Sequence, residues 1–245
     1  MYEYRDINEY AYPSKVSVQT IINGINLDEV LEGFITLSVK GRELVNRTDG
    51  ELEGRTLVIE YALMAKNNKD FREQFEWLNY YLKDKDLKII FTDDEDFYFT
   101  GDINTASEVD GNANHVKSIF EIKCKEAYKE AVEVERFDFT DQGTFKKQSL
   151  YPVKLEKIKI TSNANTEKLI LKNTTNGQRI ILDNSFAIGD GVVIDFKNLH
   201  IETDEGQNLM TSLDITSDFE EFRINYNDQL QVDGAVEVFY REVRL

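Results

Sequence analysis

The chain reads as mainly β in two domains: an N-terminal β-sandwich-like domain with one packed α-helix, then a C-terminal β-sandwich of antiparallel or jelly-roll type. Three observations predict this. Within Gly33–Gly101, alternating apolar runs stand on either side of one strongly amphipathic helical stripe. Beyond about residue 150, short alternating runs are separated by explicit turns. The 245 residues, 41% of them hydrophobic, suffice for one large core or two ordinary ones.

The first half opens with a predicted strand at Val16–Ile22, closed by Asn23-Gly24. A second follows at Phe34–Val39, where Ile35, Leu37 and Val39 alternate with Phe34, Thr36 and Ser38. Two Gly-Arg steps, Gly41-Arg42 and Gly54-Arg55, bracket a polar insert. Arg55–Met64 is the clearest strand, with Leu57, Ile59, Tyr61 and Leu63 on one face. A helix over about 68–82 comes next. Phe71, Phe75, Leu78 and Leu82, spaced four, three and four, make one apolar stripe that should lay the helix flat on the sheet. Trp77 and Tyr81 widen the stripe, which predicts Trp77 in the core, and Asp70 stands at the positive end of the helix dipole. Strands at Leu87–Phe91, Asp96–Gly101 and His115–Cys124 complete the unit.

Residues 126 to 150 mix alternating charge with aromatics, and Gln142-Gly143-Thr144 breaks the pattern. Tyr151-Pro152 then introduces new strands, so the domains are placed at 1–145 and 146–245. The second half reads as strands at Leu169–Leu171, Gln178–Leu182, Val192–Phe196, Leu199–Ile201, Phe222–Tyr226 and Val236–Tyr240. The turns between them are Asn176-Gly177, Gly189-Asp190-Gly191, Asp204-Glu205-Gly206 and Asp233-Gly234.

Charge narrows the partners. The chain carries 46 acidic and 29 basic residues, net −17. Both halves share the sign: 30 acidic and 19 basic residues to Leu150, 16 and 10 after it. Proteins that neutralise phosphates collect Lys and Arg, so sequence-specific nucleic-acid binding is not expected. Acidity either serves solubility or lines a pore that repels phosphates and lets a duplex pass without sticking. No apolar run is long enough to span a bilayer, so no membrane insertion is expected. The N-terminus MYEYRDINEY lacks the basic and apolar regions of a signal peptide, and Cys124 is the only cysteine. The reading is a protein folded in a cytoplasm.

No catalytic constellation stands out, and no catalytic residue, metal ligand or cofactor is assigned. Asp93, Asp94 and Asp96 cluster, but lack the glycine and distal glutamate of an EF-hand loop, and a solvated hairpin tip explains them. His115 and His200 have no ligand or triad partner at suitable spacing. Cys124 stands in line with Phe120 and Ile122, which predicts a buried structural thiol. Asn46-Arg47-Thr48 and Asn173-Thr174-Thr175 fit the glycosylation sequon but lack a secretory context.

Several segments carry a family likeness: Ser38-Val39-Lys40-Gly41-Arg42, Gly54-Arg55-Thr56-Leu57, Asp70-Phe71-Arg72-Glu73-Gln74-Phe75, Ile89-Ile90-Phe91-Thr92-Asp93 and Tyr98-Phe99-Thr100-Gly101. Over roughly its first 140 residues the chain resembles the distal tail proteins (Dit) of long, non-contractile-tailed phages and prophages of Gram-positive bacteria. The resemblance implies a hexameric ring joining the tail tube to the host-recognition baseplate and continuing the DNA channel. It also implies a galectin-like C-terminal sandwich. The implied partners are further copies of the chain, the tail tube protein, and a tail-associated lysin, tail fibre or receptor-binding protein. The implied location is the virion tail tip, after synthesis in the host cytoplasm.

In such a ring, exposed edge strands are liabilities unless they are covered or paired, and pairing around a closed axis removes them. Arg42 or Arg55 is expected at or near a subunit contact, where guanidinium forks meet carboxylates; the plain alternative is a surface arginine after a turn glycine. The segment Met1–Tyr12, with Tyr2, Tyr4, Tyr10 and Tyr12, is expected to dock on a neighbouring subunit or adjacent tail protein, or else on its own sheet. The alternative function is carbohydrate binding by the C-terminal sandwich in host adhesion, with Tyr226, Tyr240 and Phe186 as possible aromatic platforms. A wall hydrolase would need convergent acids or a nucleophile–base pair, and no spacing singles one out.

Overall fold

The computed structural model describes residues 20–22, 25–26, 35–42, 47–48, 51–52, 54–91, 93–106 and 115–245. The predicted strand residues Val16–Gln19 and the tyrosine-rich segment Met1–Tyr12 lie outside the described residues. The chain divides into two compact units, 1–129 and 130–244.

In the first unit the strands are β1 (Thr20–Ile22), β2 (Ile25–Asn26), β3 (Ile35–Arg42), β4 (Arg47–Thr48), β5 (Glu51–Leu52) and β6 (Thr56–Met64). Helix α1 (Asn68–Leu82) follows, then β7 (Leu87–Phe91), β8 (Phe97–Ala106) and β9 (His115–Cys124). The main sheet runs β2-β1-β7-β8-β9-β6-β3, and each described pair is antiparallel. β3 carries an extra residue between Val39 and Gly41, a bulge that lets it continue to Arg42 opposite Leu57. The polar insert holds the small β4–β5 ladder.

Helix α1 spans the predicted residues because its first turn is capped. The Asn67 side chain accepts from the amides of Lys69 (2.9 Å) and Asp70 (3.0 Å) and donates to the Asp70 carboxylate at 2.7 Å. Its stripe meets Leu57, Ile59, Tyr61 and Leu63 of β6. Leu78 is buried, while Phe71, Phe75 and Leu82 are partly so. Trp77, expected in this core, is instead 47% exposed. At about 100° per residue, position 77 lies well round the helix from Leu78, and the stripe reaches the sheet without it.

The second unit contains β11 (Glu135–Thr144), β12 (Lys154–Ser162), β13 (Thr166–Asn173), β14 (Arg179–Phe186), β15 (Gly191–Asp195), β16 (His200–Thr203) and β17 (Gln229–Arg241). The short β10 (Lys129–Ala131), at the division, pairs with β18 (Val243–Arg244). The sheet order is β14-β13-β17-β12-β15-β16, with β11 also on β17. β17 serves two sheet portions: Leu230 and Gln231 pair with β13, and Gly234–Arg241 with β12. Opposite β11 the register jumps from Thr140↔Ala235 to Gln142↔Gln231, with Asp141 at φ 57°. That irregularity is a corner, and both portions contribute to one core of Ile158, Leu171, Leu182, Ile194, Val238 and their neighbours.

Three expectations change here. The chain divides at 129/130 rather than near 145, because β11 pairs along β17 almost from end to end. Asp233-Gly234 is not a chain reversal; it lies inside β17 at the corner, where a Cβ on Gly234 would stand 2.5 Å from the Thr161 carbonyl oxygen. Phe222–Tyr226 is not a strand, although Phe222 and Ile224 are buried as an alternating pattern predicts. Gly177, Gly189 and Gly206 do take positive φ at their turns. Among the described residues no helix is long and apolar enough to cross a membrane.

Candidate assembly surfaces

The two Gly-Arg steps part company in the structure. Arg42 closes the edge strand β3, which among the described residues pairs only with β6. Arg55 is 8% exposed, with its guanidinium 5.4 Å from the Phe99 ring centroid and its carbonyl accepting the Cys124 amide at 2.7 Å. It therefore packs inside the first unit of a single chain. Tyr2, Tyr4, Tyr10 and Tyr12 lie outside the described residues.

Cys124 is buried, as its place on the strand predicts. Burial pushes its thiol from the usual 9.0 up to about 12, against the opposing pull of the Arg55 charge. The folded protein thus keeps the proton while the unfolded chain loses it. Between pH 9 and about 12 this residue's contribution to stability is lost as pH rises. Cys124→Ala should flatten that part of the stability-versus-pH curve, measured by urea unfolding at each pH. The native thiol should also resist disulfide-exchange reagents at pH 8 and react once unfolded. Equal reactivity in both states would refute its burial.

The remaining polar candidates settle into structural roles. The acidic tip is a turn in which Asp94 donates its amide to the Phe91 carbonyl at 2.8 Å and pairs its carboxylate with Lys129. His200 faces Glu202 at 3.6 Å. Among the described residues no three His, Cys, Asp or Glu side chains converge as an ion site. Asn173 of the second sequon is fully buried, where its Nδ2 donates to Asp228 at 2.7 Å. Of the suggested sugar platforms, Phe186 (5% exposed) and Tyr240 (4%) belong to the core, and the Tyr240 hydroxyl donates to Glu135 at 3.0 Å. Tyr226 is exposed.

Three surfaces remain. On α1, Trp77 contacts Tyr80 and Tyr81, with ring centroids 5.8 and 6.0 Å apart, and the Lys83 ammonium lies 3.9 Å from the Tyr80 centroid. Scattered apolar residues are ordinary on a surface, but a packed aromatic group is a patch. Sequence hydropathy hid it by assigning Trp77 to the core. The signal was the second stripe at 77, 80 and 81. In the second unit, a shallow groove of about 800 Å³ lies among Arg136, Asp138, Lys157, Lys159, Glu202 and Glu237, with both signs of charge. The third surface is strand edges. Segment 213–218 covers β14 through Asp214 N to Ile181 O (3.0 Å) and Asp218 N to Arg179 O (2.8 Å), and Leu209 N bonds Ile201 O beside β16 (2.8 Å). Among the described residues no such cover lies along β3 or the outer side of β11.

Comparison with known proteins bears on these surfaces. Residues 150–243 match the family described as siphovirus-type tail component, C-terminal domain. The crystal structure of the SPP1 Dit (gp 19.1) protein, presented as a paradigm of the hub adsorption apparatus in phages infecting Gram-positive bacteria, aligns with a TM-score of 0.71. Its identity is 18%, over 94% of this chain and 100% of that one. At that identity the likeness establishes the fold, mainly β with one helix. A chain of the phage p2 baseplate, in its activated conformation with Sr, aligns with a TM-score of 0.41 and 9% identity, over 94% of this chain and 91% of that one. A likeness so distant carries no argument. No curated protein matches the chain.

Proposed function

Because residues 150–243 match the siphovirus-type tail components, a family of structural proteins and not enzymes, we propose that the chain forms a ring, hexameric in its simplest form, joining the tail tube to the host-recognition apparatus. The family match carries this reading. The first unit builds the ring and continues the DNA channel, and the second supports a receptor-binding, fibre or lysin component. Three features support it. Among the described residues nothing covers the β3 edge, which ends at Arg42, and pairing it with the next copy would remove an edge. The Trp77 patch supplies the aromatic surface that interfaces favour. The net charge of −17 suits a channel that must pass DNA without binding it.

Light scattering with negative-stain microscopy of the purified chain tests the reading: six-fold rings are expected. Arg42→Glu should raise the concentration needed for assembly about tenfold or more, while leaving the unfolding free energy within about 0.5 kcal/mol of the parent. A strictly monomeric protein that binds glycans would overturn the ring. Reversal at Arg55 is a poor probe, because that side chain is buried in its own unit.

A further inference from the structure

We propose that the aromatic face of α1 receives the tyrosine arm, Met1–Tyr12, of a neighbouring copy. The inference rests on the ring reading and names a contact that reading leaves open. The receiving face is Trp77, 47% exposed, and Tyr80, 53% exposed, packed with Tyr81 into one patch. Tryptophan and tyrosine are the residues in which binding energy concentrates at interfaces. The Lys83 ammonium sits over the Tyr80 ring, and the exposed Glu73 and Glu76 lie one helical turn before Trp77 and Tyr80, so the charge around the patch is mixed with its cation at the Tyr80 end. An aromatic partner therefore fits it through ring contacts, and an acidic group on that partner has one cation to meet, Lys83.

The arm has that chemistry. Four of its twelve residues are tyrosine, and Glu3, Asp6 and Glu9 outnumber Arg5. Pro13 separates it from the strand-bearing chain. The first described strand after it, β1, pairs with β7, the strand that follows α1. Nineteen residues precede Thr20 and span at most about 68 Å when extended, a reach longer than a small domain. In a closed ring each such crossing repeats at every interface.

Trp77 is the only tryptophan, so its fluorescence reports this face alone. In the full chain, Trp77 emission should shift to the blue as concentration rises through the range where the scattering mass rises. A chain lacking Met1–Tyr12 should stay red-shifted throughout, and adding the synthetic peptide Met1–Tyr12 should restore the blue emission. If the deletion fails to fold, the full-length variant with Tyr2, Tyr4, Tyr10 and Tyr12 all changed to Ser serves in its place and should behave as the deletion does. Emission that never follows concentration and ignores both deletion and peptide overturns the inference; rings seen by scattering would still leave the ring reading intact. Blue emission already present in the monomer at high dilution places the arm on its own helix and overturns the crossing.

Discussion

Replacing Asp228 by alanine is expected to cost the second unit about 3 kcal/mol, a large loss for a residue outside the apolar core. Asp228 is 3% exposed and Asn173 fully buried. One carboxylate oxygen of Asp228 accepts from Asn173 Nδ2 (2.7 Å), the Asn225 amide (2.8 Å) and Asn225 Nδ2 (3.4 Å). The Asp228 carbonyl also accepts the Phe145 amide at 2.8 Å, just past the end of β11. The residue therefore ties β11, β13 and the start of β17 at one point. Alanine would leave the part-buried Asn225 amide and a buried Asn173 hydrogen without an acceptor, which costs more than the bonds themselves were worth. Asp228→Asn keeps an acceptor of the same reach and should lose about a third as much. Because Trp77 reports only the first unit, denaturant unfolding followed by circular dichroism and by tryptophan emission separates the units. A shift in the dichroism transition is expected, with Trp77 emission unmoved. A loss below about 1 kcal/mol would show that water or relaxed neighbours replace the carboxylate.

The same network explains why one segment was misread from sequence. Phe222 and Ile224 alternate with polar residues and are buried, so the pattern fits a strand. Yet side chains satisfy much of that backbone: Arg223 N donates to Gln178 Oε1 at 2.9 Å and Asn225 N to Asp228. Alternation reports burial, and a ladder partner forty or more residues away is invisible to it. The strand β11 was obscured for a related reason. Its partner β17 lies about a hundred residues along the chain, so Phe137 and Phe139 read as part of a boundary when they flank the second core. By contrast α1 and β6 were legible almost to the residue, since each carries its own period and its own core face. The candidate surfaces were the least legible. Exposure of Trp77 depends on how the helix rolls on its sheet, which hydropathy does not encode.

Gly54→Ala is expected to destabilise the first unit by about 2–3 kcal/mol, and the reason separates the two Gly-Arg steps. A Cβ at Gly54 would stand 2.3 Å from the Cys124 carbonyl oxygen and 3.1 Å from that of Lys125. Both obstacles are backbone, so no side chain can swing aside. The need here is for space: φ at Gly54 is not positive, unlike Gly177, where φ is +83° and no atom lies within 4 Å of a Cβ. Alanine at 177 should cost only about 1 kcal/mol, through backbone conformation. At Gly54 the strain falls on the next residue, whose carbonyl holds the Cys124 amide and whose guanidinium lies over Phe99. Separation of β6 from β9 there opens the core beneath α1, so the Trp77 unfolding transition should move to lower denaturant. An unchanged transition would mean the strands part at no cost and would refute the close approach. Gly54-Arg55 thus builds the interior of the unit, whereas Gly41-Arg42 lies at the end of β3, an edge strand among the described residues. Substitution at the first step should lower stability at any concentration. Substitution at Arg42 should act only on the concentration at which copies assemble.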